Sequence, residues 1–187
     1  MPKSDRCAWA REGPLRDYHD AEWGRPEHDD AKLYELLLLE AFQAGLSWLV
    51  ILKKREAFRA AFDGFDPVRV AAYGPEKIDA LMQDAGIVRC RRKLEAAVGN
   101  AKVFLAIQKE FGSFDRYLWS FTDGRVIRNE TDEFPTRTEL SDRVSKDLIK
   151  RGMRYMGSVT VYSYLQAIGV VNDHELTCRM RDPEATL

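Results

Sequence analysis

A glutamate set among leucines opens the chemical reading of this chain. At about 100° per helical residue, Glu40 falls between Leu33 and Leu36, with Leu37 and Ala44 close by. Glu35 points about 140° away on the same count, which suits a solvated face. A carboxylate on a buried stripe is costly unless it is paired, and burial raises its pKa. The plain alternative is a helix-end glutamate bonded to a neighbouring amide or arginine. Trp9, Tyr18 and Trp23 precede Glu40, and Trp48 lies eight residues after it, across the junction Gly45-Leu46-Ser47. Aromatic rings beside a buried acid make a pocket for a flat, electron-poor ring. The same rings, taken by type alone, also suit an ordinary core.

Two further groups have suggestive spacing. His174 and Cys178 are four residues apart, and Cys7 and His19 twelve apart near the other end of the chain. Together they form a Cys2His2 set that a structural zinc would close tetrahedrally, stapling the termini. Unlinked thiols, or a Cys7–Cys178 disulfide, remain open on spacing alone. The segment Leu81 to Leu94 reads as a helix, a turn centred on Gly86, and a cationic helix start with Arg89, Arg91, Arg92 and Lys93. Such a turn and helix N-terminus can cradle phosphate. Arg143, Lys146, Lys150, Arg151 and Arg154 form a second basic run, which reads better as a solvated face. His28 and Cys90 have no comparable partners.

The elements that must position these groups are helices. Asp29 or Asp30 caps a helix to about Ala44, and a second runs from near Ser47 to Phe62. Asp66-Pro67 starts a short helix to Tyr73. Gly74-Pro75 opens another that ends near Ala85-Gly86. A long helix spans about Arg91–Phe111 and a short one Ser113–Trp119. Residues 122–137 form a loop with a small hairpin at Asp123-Gly124, and helices follow at about 139–151 and 157–168. Alternating β patterns are almost absent and no repeat or composition shift marks a linker, so the expectation is an all-α single domain over residues 1–187, built as two lobes.

The 187 residues are 45% hydrophobic, enough for a core, and their 29 basic and 30 acidic side chains exclude a generic polycation. Nucleic acid, if bound, must meet a local basic patch. Three cysteines make a poor disulfide framework and fit a reducing cytoplasm. The charged stretch Met1 to Arg6 leads into no apolar signal region. The apolar run Tyr34–Leu52 carries Glu35, Glu40, Gln43, Gly45 and Ser47, too polar for a membrane span of about 20 apolar residues. No membrane association is expected, and the near-zero charge suits a monomer.

Read in order, Cys7-Ala8-Trp9, Tyr18-His19-Asp20-Ala21-Glu22-Trp23-Gly24 and Glu40-Ala41-Phe42-Gln43-Ala44-Gly45-Leu46-Ser47-Trp48 resemble the 3-methyladenine DNA glycosylase I family. Lys53-Lys54-Arg55, Phe65-Asp66-Pro67, Asp84-Ala85-Gly86-Ile87, Asn172-Asp173-His174 and Cys178 extend the resemblance over nearly the whole chain. It implies a helix-hairpin-helix glycosylase fold with the hairpin at residues 81–93. It also implies a structural zinc joining the ends, residues 7–19 and 174–178, through Cys7, His19, His174 and Cys178. Glu40, Tyr18 and Trp48 would line the base pocket, with Trp9 as a further stacking wall and Glu40 as the residue on which excision depends. Gly86, Arg89, Arg91, Arg92 and Lys93 would contact double-stranded DNA carrying alkylated adenine. The implied reaction is monofunctional hydrolysis of the N-glycosidic bond after base flipping. The implied family does without the Asp that the wider superfamily places after its hairpin. One departure is local: the Cys7–His19 interval is one residue shorter than the family spacing. Two other readings remain open from sequence: a non-catalytic, zinc-stapled module that binds DNA or modified bases, and a purely structural helical protein.

Overall fold

A computed structural model describes residues 6–182. The charged leader at residues 1–5 and the end of the tail beyond residue 182 lie outside the described residues. The helices are α1 (Gly13–Ala21), α2 (Asp30–Gln43), α3 (Trp48–Ala61), α4 (Pro67–Ala71), α5 (Pro75–Leu81), α6 (Arg91–Phe111), α7 (Phe114–Trp119), α8 (Glu139–Lys150) and α9 (Ser158–Ala167).

Local chemistry explains most boundaries. Asp29 caps α2 by accepting from the Ala31 amide. Asp66 accepts from Val68 and Arg69 ahead of Pro67 in α4, and Ser113 accepts from Arg116 in α7. Thr138 and Ser141 exchange bonds in a capping box at α8. Gly112 ends α6 in the left-handed region at φ 89°.

Helix α2 is the central beam. It packs against α3, α6, α7 and α9, and every residue from Leu33 to Phe42 is buried. Each fully buried Leu or Phe there contributes about 1.5–3 kcal/mol. Helix α6 runs antiparallel to it and clamps both ends. Lys93 Nζ donates to the carbonyls of Phe42 (2.7 Å) and Ala44 (2.6 Å) at the C-terminus of α2. At the other end, Asp30 accepts from Gln108 Nε2 at 2.6 Å and from the α7 amides of Phe114 and Asp115 at 2.8 Å each.

Four features depart from the sequence reading. Glu35 is not solvated: it is 2% exposed and accepts from Arg55 Nε and Arg59 Nη2, both at 2.7 Å. Burial pushes its carboxyl up, but Arg55, Lys32 and Arg59 outweigh that and leave it below the usual range. Helix α1 is an addition, because its sequence is too polar for apolar periodicity to show. Helix α5 ends at Leu81 rather than near Ala85-Gly86. The turn at Asp123-Gly124 forms no local hairpin; Ile127–Arg128 (β1) instead pairs in parallel with Val171–Asn172 (β2). These two short strands are the β content of the described residues.

Candidate active site

Three helices converge on one cavity through a partly buried ion network. Arg55 of α3 grips Glu22, just past α1, with two bonds of 2.6 and 2.7 Å. The same guanidinium reaches Glu35 of α2. The network therefore ties together α1, which carries Tyr18, α2, which carries Glu40, and α3, which begins at Trp48. The three side chains line a cavity of about 360 Å3 with Trp9, Trp23 and Gln43. Phe134, Ser163, Gln166, Asp173 and Glu175 complete its wall.

The rings form an aromatic slot. Tyr18 and Trp48 lie 5.4 Å apart between centroids at 55°. Trp9 meets Trp23 edge-on at 4.9 Å. Glu40 lies against this slot and is 4% exposed. Burial pushes its carboxyl up to about 8. Its Oε2 has no hydrogen-bond partner, so the plain reading of a satisfied helix-end glutamate does not hold. The indole Nε1 of Trp48 and Oδ1 of Asp173 are likewise buried and unpartnered. Three residues that line one cavity thus each carry a buried, unsatisfied polar atom. Its wall bears three carboxylates and, among the described residues, no basic side chain. Such a surface favours a flat ring that carries positive charge and hydrogen-bond donors.

Beside the cavity, Cys7, His19, His174 and Cys178 are all buried, with ligand atoms within 4.8 Å of one another. Cys7 Sγ lies 3.5 Å from His174 Nδ1, and Cys178 Sγ lies 3.5 Å from His19 Nε2 and 3.6 Å from His174 Nδ1. Tetrahedral zinc with bonds of about 2.3 Å to sulfur and about 2.0–2.1 Å to nitrogen sets S···N edges of about 3.5–3.6 Å. The outer nitrogens are also held, His19 Nδ1 by Asp20 at 2.9 Å and His174 Nε2 by the Trp23 carbonyl at 3.2 Å. The donor set fits zinc. The shortened Cys7–His19 interval does not prevent the four from meeting. The cysteines are free thiols, not a disulfide.

The sequence profile of the family described as methyladenine glycosylase matches residues 9–182. The chain belongs to the methyladenine glycosylase family. Over 178 residues it is 47% identical to DNA-3-methyladenine glycosylase 1 of Escherichia coli K12, covering 93% of this chain and 95% of that one. It is 46% identical over 177 residues to DNA-3-methyladenine glycosylase of Haemophilus influenzae, covering 92% and 96%. It also resembles the solved 3-methyladenine DNA glycosylase I of Staphylococcus aureus, described for its recognition of 3-methyladenine. That match has a TM-score of 0.90, 39% identity, and covers 95% of this chain and 96% of that chain.

In this methyladenine glycosylase, the predicted pocket residues Glu40, Tyr18, Trp48 and Trp9 come together, and so do the four predicted metal ligands. The basic hairpin divides. Arg89 and Arg92 are exposed at the start of α6. Arg91 is exposed too but ion-paired with Asp79. The Gly86 amide donates to Asp84 Oδ1 at 2.7 Å, so it is committed within the turn. A Cβ there would meet that of Ala57 at 2.9 Å, so the turn can pack this closely against α3 only with glycine at this position. Lys54 holds the turn from α3 by donating to the carbonyls of Ala85 and Gly86. Lys93 is buried and donates to the C-terminal carbonyls of α2, which attract a cation. Sequence reasoning missed Phe134, Ser163, Gln166, Asp173 and Glu175 as cavity residues. Asp173 and Glu175 carried a signal, their places on either side of His174.

Proposed function

We propose that this protein is a monofunctional DNA glycosylase that hydrolyses the N-glycosidic bond of 3-methyladenine in alkylated double-stranded DNA. The observation that carries the reading is the unpartnered Glu40 carboxyl in an aromatic, acid-lined cavity free of basic side chains. A 3-methylated adenine is cationic while attached to its sugar, so it leaves readily as a neutral base. The protein therefore needs no strong acid. It must extrude the nucleotide, at a cost of a few kcal/mol that damage lowers. Tyr18, Trp48 and Trp9 then stack on the ring. Glu40 accepts a hydrogen bond from its exocyclic amine or ring edge, and the cationic ring draws the raised carboxyl back to its ionised form. A charge-assisted bond of about 1.5–3 kcal/mol supplies discrimination against bases that lack the donor pattern. No lysine lines the cavity among the described residues, which supports base release without strand cleavage.

In the same reading, α5, the turn and α6 form the helix-hairpin-helix element, with Arg89 and Arg92 at phosphates. Zinc held by Cys7, His19, His174 and Cys178 supplies folding energy rather than a reaction step, since all four positions are protein ligands. The free thiols suit the cytoplasm.

The test is chromatography of bases released from methylated DNA. Release of 3-methyladenine with 7-methylguanine left in place is the expected result. A folded, zinc-loaded protein that releases nothing would be a binding module instead.

A further inference from the structure

One wall of the base cavity comes from a loop rather than a helix. Phe134, between β1 and α8, lines the cavity with a ring that is 46% exposed. The loop that carries it is braced on both sides. Asn129 Oδ1 accepts from the amide and the hydroxyl of Thr131, both at 3.0 Å, and its Nδ2 donates to the Glu133 carbonyl at 2.8 Å. Asp132 accepts from the Leu176 amide at 2.9 Å, and Glu130 from Arg181 at 3.1 Å, which fastens the loop to the C-terminal segment. Pro135 follows directly, and a residue before proline is confined to extended backbone. Thr138 then caps α8. The backbone at Phe134 is therefore held, although its ring is half in solvent.

A second cavity of about 600 Å3 adjoins the first, and two residues, Phe134 and Asp173, line both. Asp173 is buried and fixed, since its Oδ2 accepts from the Tyr162 phenol and the Gln166 amide of α9, each at 2.6 Å. The two spaces thus meet at one anchored side chain and one exposed ring. We infer that Phe134 is a specificity-determining residue: its ring limits the base cavity to purines that carry a methyl group and shuts out those with larger alkyl groups. The inference rests on the glycosylase reading above. Glu40 reads charge and hydrogen-bond donors, neither of which tells a methyl from an ethyl or benzyl group. A packed apolar wall does, by about 10–200-fold for one methylene. A group added to the base on that side has no room while the ring stands. With the ring cut back to a methyl, the cavity of about 360 Å3 opens into its larger neighbour.

Phe134→Ala tests this. Parent and variant are given duplex DNA treated with methylating, ethylating or benzylating agents, which place small and large groups on N3 of adenine and N7 of guanine, opposite edges of a purine. The bases released in a single turnover are measured by chromatography. For at least one larger base, the rate relative to 3-methyladenine should rise about 10-fold or more in the variant. The melting temperature should stay near the parent's, because the ring is half exposed. Unchanged ratios across the set, with 3-methyladenine still released, overturn the inference and leave the glycosylase reading standing. A folded variant that releases no base also overturns it, since the ring would then hold the base rather than limit it. A parent that releases no base overturns the glycosylase reading, and this one with it. Should Phe134→Ala fail to fold, Phe134→Leu decides by the same ratios: a several-fold rise supports the role, and no rise overturns it.

Discussion

Glu40 and Trp48 line one cavity from either side of the α2–α3 junction, and Glu40 Oε2 and Trp48 Nε1 are both buried without a hydrogen-bond partner. An acceptor and a donor left unpaired cost stability in the empty protein. Both are available to a planar ring that has a donor edge and polarisable faces.

Glu40→Gln should slow 3-methyladenine excision by about 10- to 150-fold, the worth of a charge-assisted hydrogen bond of about 1.5–3 kcal/mol. The fold should survive and outlast the parent's as pH rises. The Glu40 carboxyl is raised to about 8 in the folded chain, so the unfolded chain releases this proton first. Stability is therefore lost as pH climbs from the ordinary glutamate range towards 8, at up to about 1.4 kcal/mol per pH unit. The glutamine variant escapes that loss. Its melting temperature should exceed the parent's by a margin that widens between pH 5 and pH 8, and a margin independent of pH would contradict a buried, unpaired carboxyl.

Trp48→Ala should weaken binding of free 3-methyladenine by about 1–3 kcal/mol, the worth of one aromatic stack on a base. Calorimetric titration measures it. An affinity equal to the parent's would place the base elsewhere.

Arg89→Ala combined with Arg92→Ala should weaken duplex binding and make the salt dependence shallower, by about 0.9 in log–log slope for each phosphate no longer neutralised. Lys93→Met should behave differently. Its ammonium holds the last carbonyls of α2, so the loss should appear as a lower melting temperature with the salt slope intact. If the slope moves with Lys93 and not with the arginines, the assignment of the hairpin is reversed.

Metal analysis of purified protein should find about one zinc per chain. Cys178→Ser should lower zinc content and melting temperature together, while the fraction that remains folded keeps the affinity for free base. Lost turnover at unchanged melting temperature would point to a metal acting in the chemistry.

Much of this fold is legible in the sequence, and the exceptions have physical causes. Caps and breakers act locally, so Asp29, Ser47 and Asp66-Pro67 mark helix limits that the structure keeps within a residue or so. Glu35 escapes a helical wheel because the wheel assumes one wet face, whereas α2 is covered all round. Its run Leu36-Leu37-Leu38-Leu39 already says so, since a helix apolar on every side is a buried one. Lys93 looks like its arginine neighbours until α2 is seen to end beside it. The pairing of β1 with β2 joins distant segments with two residues each, too short for an alternating pattern. Asp173 acquires its surroundings only when α9 brings Tyr162 and Gln166 against it. The Cys2His2 set and the pocket acid stay open on residue type and spacing alone, and the family resemblance is what singles them out in the sequence.

The cluster draws one ligand pair from each end of the chain, and the cavity wall follows the same division, with Trp9 and Tyr18 from the beginning and Asp173 and Glu175 from the end. A chain emerging from the ribosome presents its N-terminal part first. The segment that carries Cys7 and His19 must therefore wait, its thiol and imidazole unmatched, until residues 174–178 are synthesised. The cavity is closed only once Asp173 and Glu175 have been made, and a truncated product ending before Asp173 would carry an intact Glu40 helix and half a pocket.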